Sequence, residues 1–89
     1  MYTLIDLLKL HDKCRNNKEE LSKSSKCGCF YCKKIYDPKE ISEWTDNKQT
    51  AICPYCFIDS VISNPSKEDL NILHKYYFKN YIIIWIVFW

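Results

Sequence analysis

The spacing of two cysteine pairs constrains this chain more than any other feature. Cys29-x2-Cys32 and Cys53-x2-Cys56 are separated by 20 residues. Two residues between thiolates let both sulfurs reach one metal from a tight turn. Two such turns complete a tetrahedron with Zn–S distances of about 2.3 Å. Intervals of roughly 15 to 20 residues between the pairs are typical of four-cysteine zinc sites. The expected ligands are therefore Cys29, Cys32, Cys53 and Cys56, around one structural Zn2+. Four thiolates suit iron equally well in geometry, but nothing else in the chain speaks for the redox function an iron centre would imply. With every position filled by sulfur, no site remains for water or substrate, which argues against a Lewis-acid zinc enzyme.

A metal staple also suits the size of the chain. Its 89 residues predict one small domain, whose core alone supplies only a few kcal/mol of net stability. With 47% hydrophobic and 16% aromatic residues it is too apolar for a disordered segment. The formal net charge is +2. Six Lys/Arg face four Asp/Glu in residues 1–26, and the two signs balance in the rest. Nucleic-acid binders place a basic stripe near the reading element; none surrounds these cysteines, so direct nucleic-acid binding is unsupported. The opening MYTLIDLLKLHDKC is interrupted by Asp6, Lys9, His11 and Asp12 and does not form a secretory h-region. A cytoplasmic setting is the default expectation, where closely spaced cysteines bind metal more often than they form disulfides.

Leu4, Leu7, Leu8 and His11 recur at helical spacing behind Thr3, predicting an amphipathic helix over 4–14. Asn17, three residues before Glu20, has the capping-box arrangement and predicts a short helix over 18–23. Gly28, the only glycine, lies between Cys27 and Cys29, where a tight turn is expected. Asp37-Pro38-Lys39-Glu40 is a strong helix start, with a helix expected to about Trp44 that buries Ile41 and Trp44. Residues 45–48 form a polar turn, and Thr50, Ala51 and Ile52 an extended run. FIDSVIS after Cys56 reads as a helix body, ended at Asn64-Pro65. Ser66 with Asp69 starts a last helix, with Leu70, Leu73 and Tyr77 on its apolar face. Tyr81–Trp89 has no charged residue. As a helix its nine residues span only about 14 Å, well short of a ~30 Å bilayer core. No membrane span is expected, and the segment should pack on the domain, in a second copy or on a partner.

Several competing assignments are weaker. Cys27 offers a fifth thiol, but four residues separate it from Cys32, a less favoured loop, and it is left out of the ligand set. His11 and Cys14 stand three apart on the first helix; core positions explain them better than a second metal. Cys53-Pro54-Tyr55-Cys56 looks like a glutaredoxin active site, in which the first thiol is acidified at a helix N-terminus. Only 33 residues follow it, with no glycine, and the 29/32 pair needs a partner that 53/56 supplies. Asp59 and Ser60, as sequence neighbours, make no nucleophile–base pair. His74 needs no role beyond packing, and Phe30 and Tyr31 beside a metal turn are better explained by packing than by base stacking.

CGCFYC, IYDPKEISEW, TAICPYCFIDSVI and the Leu-x-x-x-His-x-Tyr-Tyr-Phe ending at Leu70–Phe78 resemble a family of short bacterial cytoplasmic cysteine-rich proteins with a CGCFYC…ICPYC-G-IDSVI pattern. The resemblance covers about residues 11–78 and implies no activity. Phe57 stands where that family carries glycine, which removes backbone freedom after the last ligand and puts an aromatic ring at the surface.

Together these features predict a small α-rich zinc domain of zinc-ribbon or treble-clef type, with three to five short helices and little sheet. It comprises residues 1–78, with an apolar tail at 79–89. The expected function is a non-catalytic protein-interaction module with a contact surface including Phe57, Trp85, Phe88 and Trp89. Two alternatives share the chain: a phage or mobile-element inhibitor of a host defence nuclease or ribonucleoprotein, of anti-CRISPR type, and a thiol oxidoreductase using Cys53 and Cys56. The first rests on small size, an AT-rich-genome composition and zinc chemistry.

Overall fold

A computed structural model describes residues 2–79; Tyr81–Trp89, with the expected contact residues Trp85, Phe88 and Trp89, lies outside the described residues. The first helix, α1 (Leu4–Asp12), starts where Thr3 exchanges hydrogen bonds with Asp6: the Asp6 amide donates to the Thr3 hydroxyl at 3.1 Å, and the Thr3 amide donates to the Asp6 carboxylate at 3.0 Å. Of the leucines expected on its inner face, only Leu7 is buried; Leu4 and Leu8 are exposed together with Ile5. Helix α2 (Lys18–Ser22) buries Leu21.

Five short strands follow: β1 (Cys27–Cys29), β2 (Ile35–Tyr36), β3 (Trp44–Thr45), β4 (Thr50–Ala51) and β5 (Val61–Ser63). They form an antiparallel sheet ordered β2-β1-β5 and a separate β3-β4 hairpin. Helix α3 (Lys67–His74) is capped by Ser66 and Asp69 in the same reciprocal way as α1, and runs into a π-helical turn at Lys75–Lys79.

Strand side chains alternate between faces, and here the alternation separates two cores. Cys27, Cys29 and Val61 join Leu21, Tyr36, Ile41, Ala51 and Cys53 on one side of the sheet. Ile62 joins Leu7, Cys14, Phe30, Leu70 and Leu73 on the helical side. Gly28 belongs to the central strand, so the turn expected there is absent. Its missing side chain is a packing requirement: a Cβ at Gly28 would sit 2.8 Å from Pro65 Cγ, 3.0 Å from Leu70 Cδ1 and 3.2 Å from the Lys34 carbonyl oxygen.

Four expectations are corrected by these elements. The helix opened by Asp37 is one 3-10 turn, Pro38–Glu40, and it stops because Ile41 is extended and Trp44–Thr45 pair with Thr50–Ala51. The stretch after Cys56 enters a strand, because Val61–Ser63 finds three partners on β1. Asn17 does not cap α2 through its side chain; it is buried and does other work. The domain therefore mixes three α-helices with five short strands among the described residues and is not clearly α-rich. None of those helices is long and apolar enough to cross a membrane.

Candidate metal centre

The two cysteine pairs fold into turns of the same construction. In the first, the Lys33 amide donates to the Cys29 carbonyl at 2.7 Å and the Cys29 amide donates to the Lys34 carbonyl at 3.0 Å. In the second, the Phe57 amide donates to the Cys53 carbonyl at 2.9 Å and the Cys53 amide to the Ile58 carbonyl at 3.0 Å. Each turn leaves the residue after its second cysteine in the left-handed region, Lys33 at φ 65° and Phe57 at φ 64°. Such a conformation costs an L-residue roughly 1–2 kcal/mol and is usually given to glycine. Phe57 is 69% exposed, as expected.

The first turn joins β1 to β2; the second follows β4 and delivers the chain to β5. Since β5 pairs with β1 from Cys29↔Val61 onward, both turns emerge at one end of the sheet. The four sulfurs lie within 4.8 Å of one another. Cys29 Sγ is 3.5 Å from Cys56 Sγ and Cys32 Sγ is 3.8 Å from Cys53 Sγ, so each contact joins one pair to the other. A tetrahedron with about 2.3 Å metal–sulfur bonds has an edge of about 3.8 Å, whereas a disulfide would bring the sulfurs to about 2.05 Å. All six cysteines are free thiols. The four gathered sulfurs thus form a possible metal site and fit a thiolate-bound ion in both number and separation.

Cys29 and Cys53 are fully buried, while Cys32 and Cys56 are half-buried. Burial pushes the Cys29 thiol well above the ordinary cysteine range and Cys56 up to about 11. Cys53 moves the other way. Burial opposes its ionisation, but the nearby Tyr36 hydroxyl and the Tyr55 and Cys56 amides outweigh it and lower its pKa. The Tyr31 amide likewise approaches Cys29 Sγ at 3.4 Å. Donors aimed at sulfur suit thiolates, and several thiolates in one buried cluster require a cation.

No protein-family model, curated protein or solved structure matches the chain.

Cys27 is buried near the cluster, on the same face as Cys29 two residues away, yet the group of four does not include it. Burial pushes its thiol up to about 12. His11 and Cys14 take part in no ligand group among the described residues; the His11 ring stacks on Tyr77 at 4.0 Å between centroids. Phe30 is buried, and Tyr31 packs edge-on against Phe78 at 4.8 Å. His74 Nδ1 lies 3.1 Å from the Phe30 carbonyl oxygen, tying α3 to the first turn. The CPYC run precedes β5 rather than a helix.

Two residues that the sequence did not point to in these roles complete the surroundings. Asn17 donates to the Lys13 and Val61 carbonyls at 2.9 and 2.8 Å and accepts from the Ala51 amide at 3.2 Å. Tyr36 stands opposite Cys27 in the β1–β2 pair, with its ring edge-on to Tyr55 at 5.2 Å. An isolated asparagine carries no signal for such a role. Tyr36 was findable only through the strand register, which sequence spacing did not supply.

Proposed function

We propose that this chain is a non-catalytic, zinc-stabilised protein-interaction module. One structural Zn2+, held by Cys29, Cys32, Cys53 and Cys56 in a zinc-ribbon-like arrangement of two turns, fixes the shape of its contact surface. The supporting observation is the meeting of four sulfurs from two matching turns at tetrahedral-edge distances. A four-thiolate site is coordinatively closed, so the ion acts as a staple. The reduced thiols this requires suit a cytoplasmic compartment. An oxidoreductase nucleophile would sit exposed at a helix N-terminus; Cys53 is fully buried and the next element after it is the strand β5.

Phe57 is our candidate for the centre of the contact surface. A bulky aromatic in the left-handed region, with most of its ring in water, costs the domain stability that glycine would spare. Strained residues of this kind cluster at functional sites.

A photo-crosslinking amino acid at position 57, compared with one at exposed Glu19, tests the proposal in cells. A protein adduct specific to position 57 and lost when Cys29 is replaced is expected. An adduct with nucleic acid, or none above the Glu19 control, would overturn it.

A further inference from the structure

One face of α1 is apolar and stands in water. Leu4, Ile5 and Leu8 are 68%, 63% and 54% exposed, although the same helix buries Leu7 beside Leu70 and Leu73 of α3. Leu4, Leu8 and His11 are spaced four and three apart, so they form one row along the helix, with Ile5 beside Leu8. Three large aliphatic side chains together make a patch, unlike the singly scattered apolar residues of an ordinary surface.

The row leads towards the last described residues. The Tyr2 hydroxyl bonds to Asp69 at the start of α3, and the His11 ring stacks on Tyr77 at 4.0 Å just beyond its end. Helices α1 and α3 therefore run side by side in the same direction, and Lys79 follows within two residues of the stack at the His11 end of the row. From His11 back to Leu4 is about 10 Å of helix. The uncharged segment Tyr81–Trp89 starts two residues after Lys79. It spans about 14 Å as a helix or about 30 Å as a strand, so in either form it can reach Leu4. Asn80, between the two, is of a residue type favoured in turns.

A second surface lies within the same reach. A cavity of about 360 Å³ opens beside His11 and Tyr77, but Arg15, Asp46, Asp59 and Ser60 stand in its wall. An uncharged apolar segment seated there would take those polar groups out of water without giving them partners. The aliphatic row carries no such penalty.

We propose that the outer face of α1, formed by Leu4, Ile5 and Leu8, is the docking surface for this chain's own Tyr81–Trp89, which turns back after Lys79 and covers the row. The short link favours the chain's own segment over that of a second copy, because a tethered segment meets its site at an effective concentration of about millimolar. The inference does not depend on the metal site.

The full chain with equimolar zinc is digested with chymotrypsin, and cuts within Tyr81–Trp89 are timed by mass spectrometry. Cleavage of a segment that opens transiently follows its open population. Leu4→Lys combined with Leu8→Lys should speed those cuts about tenfold or more, the change expected when one leucine's worth of apolar contact is lost. Glu19→Lys, which changes the net charge equally at an exposed site of α2, should be cut like wild type. Equal rates in all three proteins would overturn the inference. Should the double variant lose its fold, NMR of the wild type decides instead. Nuclear Overhauser contacts are expected between the methyl groups of Leu4, Ile5 or Leu8 and the rings of Trp85 or Trp89. Their absence, or their appearance only between differently labelled copies in a mixed sample, would overturn docking by the chain's own segment.

Discussion

One amide side chain, that of Asn17, holds together the end of α1, the β3-β4 hairpin and the edge of the main sheet through bonds to Lys13, Ala51 and Val61. Its removal leaves buried backbone groups unpaired, and each such group costs about 1–3 kcal/mol. Asn17→Ala should therefore destabilise the metal-loaded domain by about 3 kcal/mol, read as a lower urea midpoint. Asn17→Asp should not rescue it, because a carboxylate cannot supply the donor that Lys13 and Val61 accept. Phe57 is the opposite case. Its left-handed backbone predicts that Phe57→Gly gains about 1 kcal/mol in the same experiment. The proposal assigns the ring to binding, so the more stable variant should bind its partner less well. A destabilised Phe57→Gly would mean that the ring packs more than it strains.

Among the elements, those built from local capping were legible and those built from pairing were not. Thr3 and Ser66 start α1 and α3 where the sequence puts them, because a side chain three residues away completes each cap. Asp37 also begins a turn with Glu40, but what stops it is the pairing of Trp44–Thr45 with a strand six residues on, invisible to local spacing. FIDSVIS read as helix for the same reason. The left-handed Phe57 redirects the chain, and Val61–Ser63 gains its hydrogen bonds from β1, more than thirty residues earlier. Gly28 is the sharpest element-scale test. Its strand approaches Pro65 and Leu70 too closely for a methyl group. Gly28→Ala should lower stability by about 1–3 kcal/mol, seen as a reduced melting temperature. A tight turn at Gly28 would instead have called for a left-handed backbone, which the strand does not have.

For the molecule as a whole, the gathering of Cys29, Cys32, Cys53 and Cys56 was legible because a shared metal site dictates their spacing, while their surroundings were not. Leu21, Tyr36, Ile41, Ala51 and Val61 share one core with the cysteines, so half of the interior is organised around sulfur. Chelation should accordingly abolish amide protection across 29–34 and 53–58. The opposite side of the sheet has its own apolar residues and one pH-sensitive tie, the Tyr2 hydroxyl donating to the Asp69 carboxylate. Partial burial would raise the Asp69 pKa, but the bonds from Tyr2 and Ser66 lower it overall. A lowered folded pKa stabilises above the unfolded value of about 3.9. That contribution is lost as pH falls below it through the folded value. Helix α1 should then loosen from α3 in wild type, and Tyr2→Phe should flatten the acid limb of a pH–stability profile.

X-ray absorption at the zinc edge, on protein purified with equimolar zinc, bears most directly on the account. Four sulfur neighbours at about 2.3 Å, with no nitrogen or oxygen, are predicted. A mixed shell containing nitrogen or oxygen, or a folded protein that retains no metal, would contradict the closed four-cysteine centre on which the function proposed here depends.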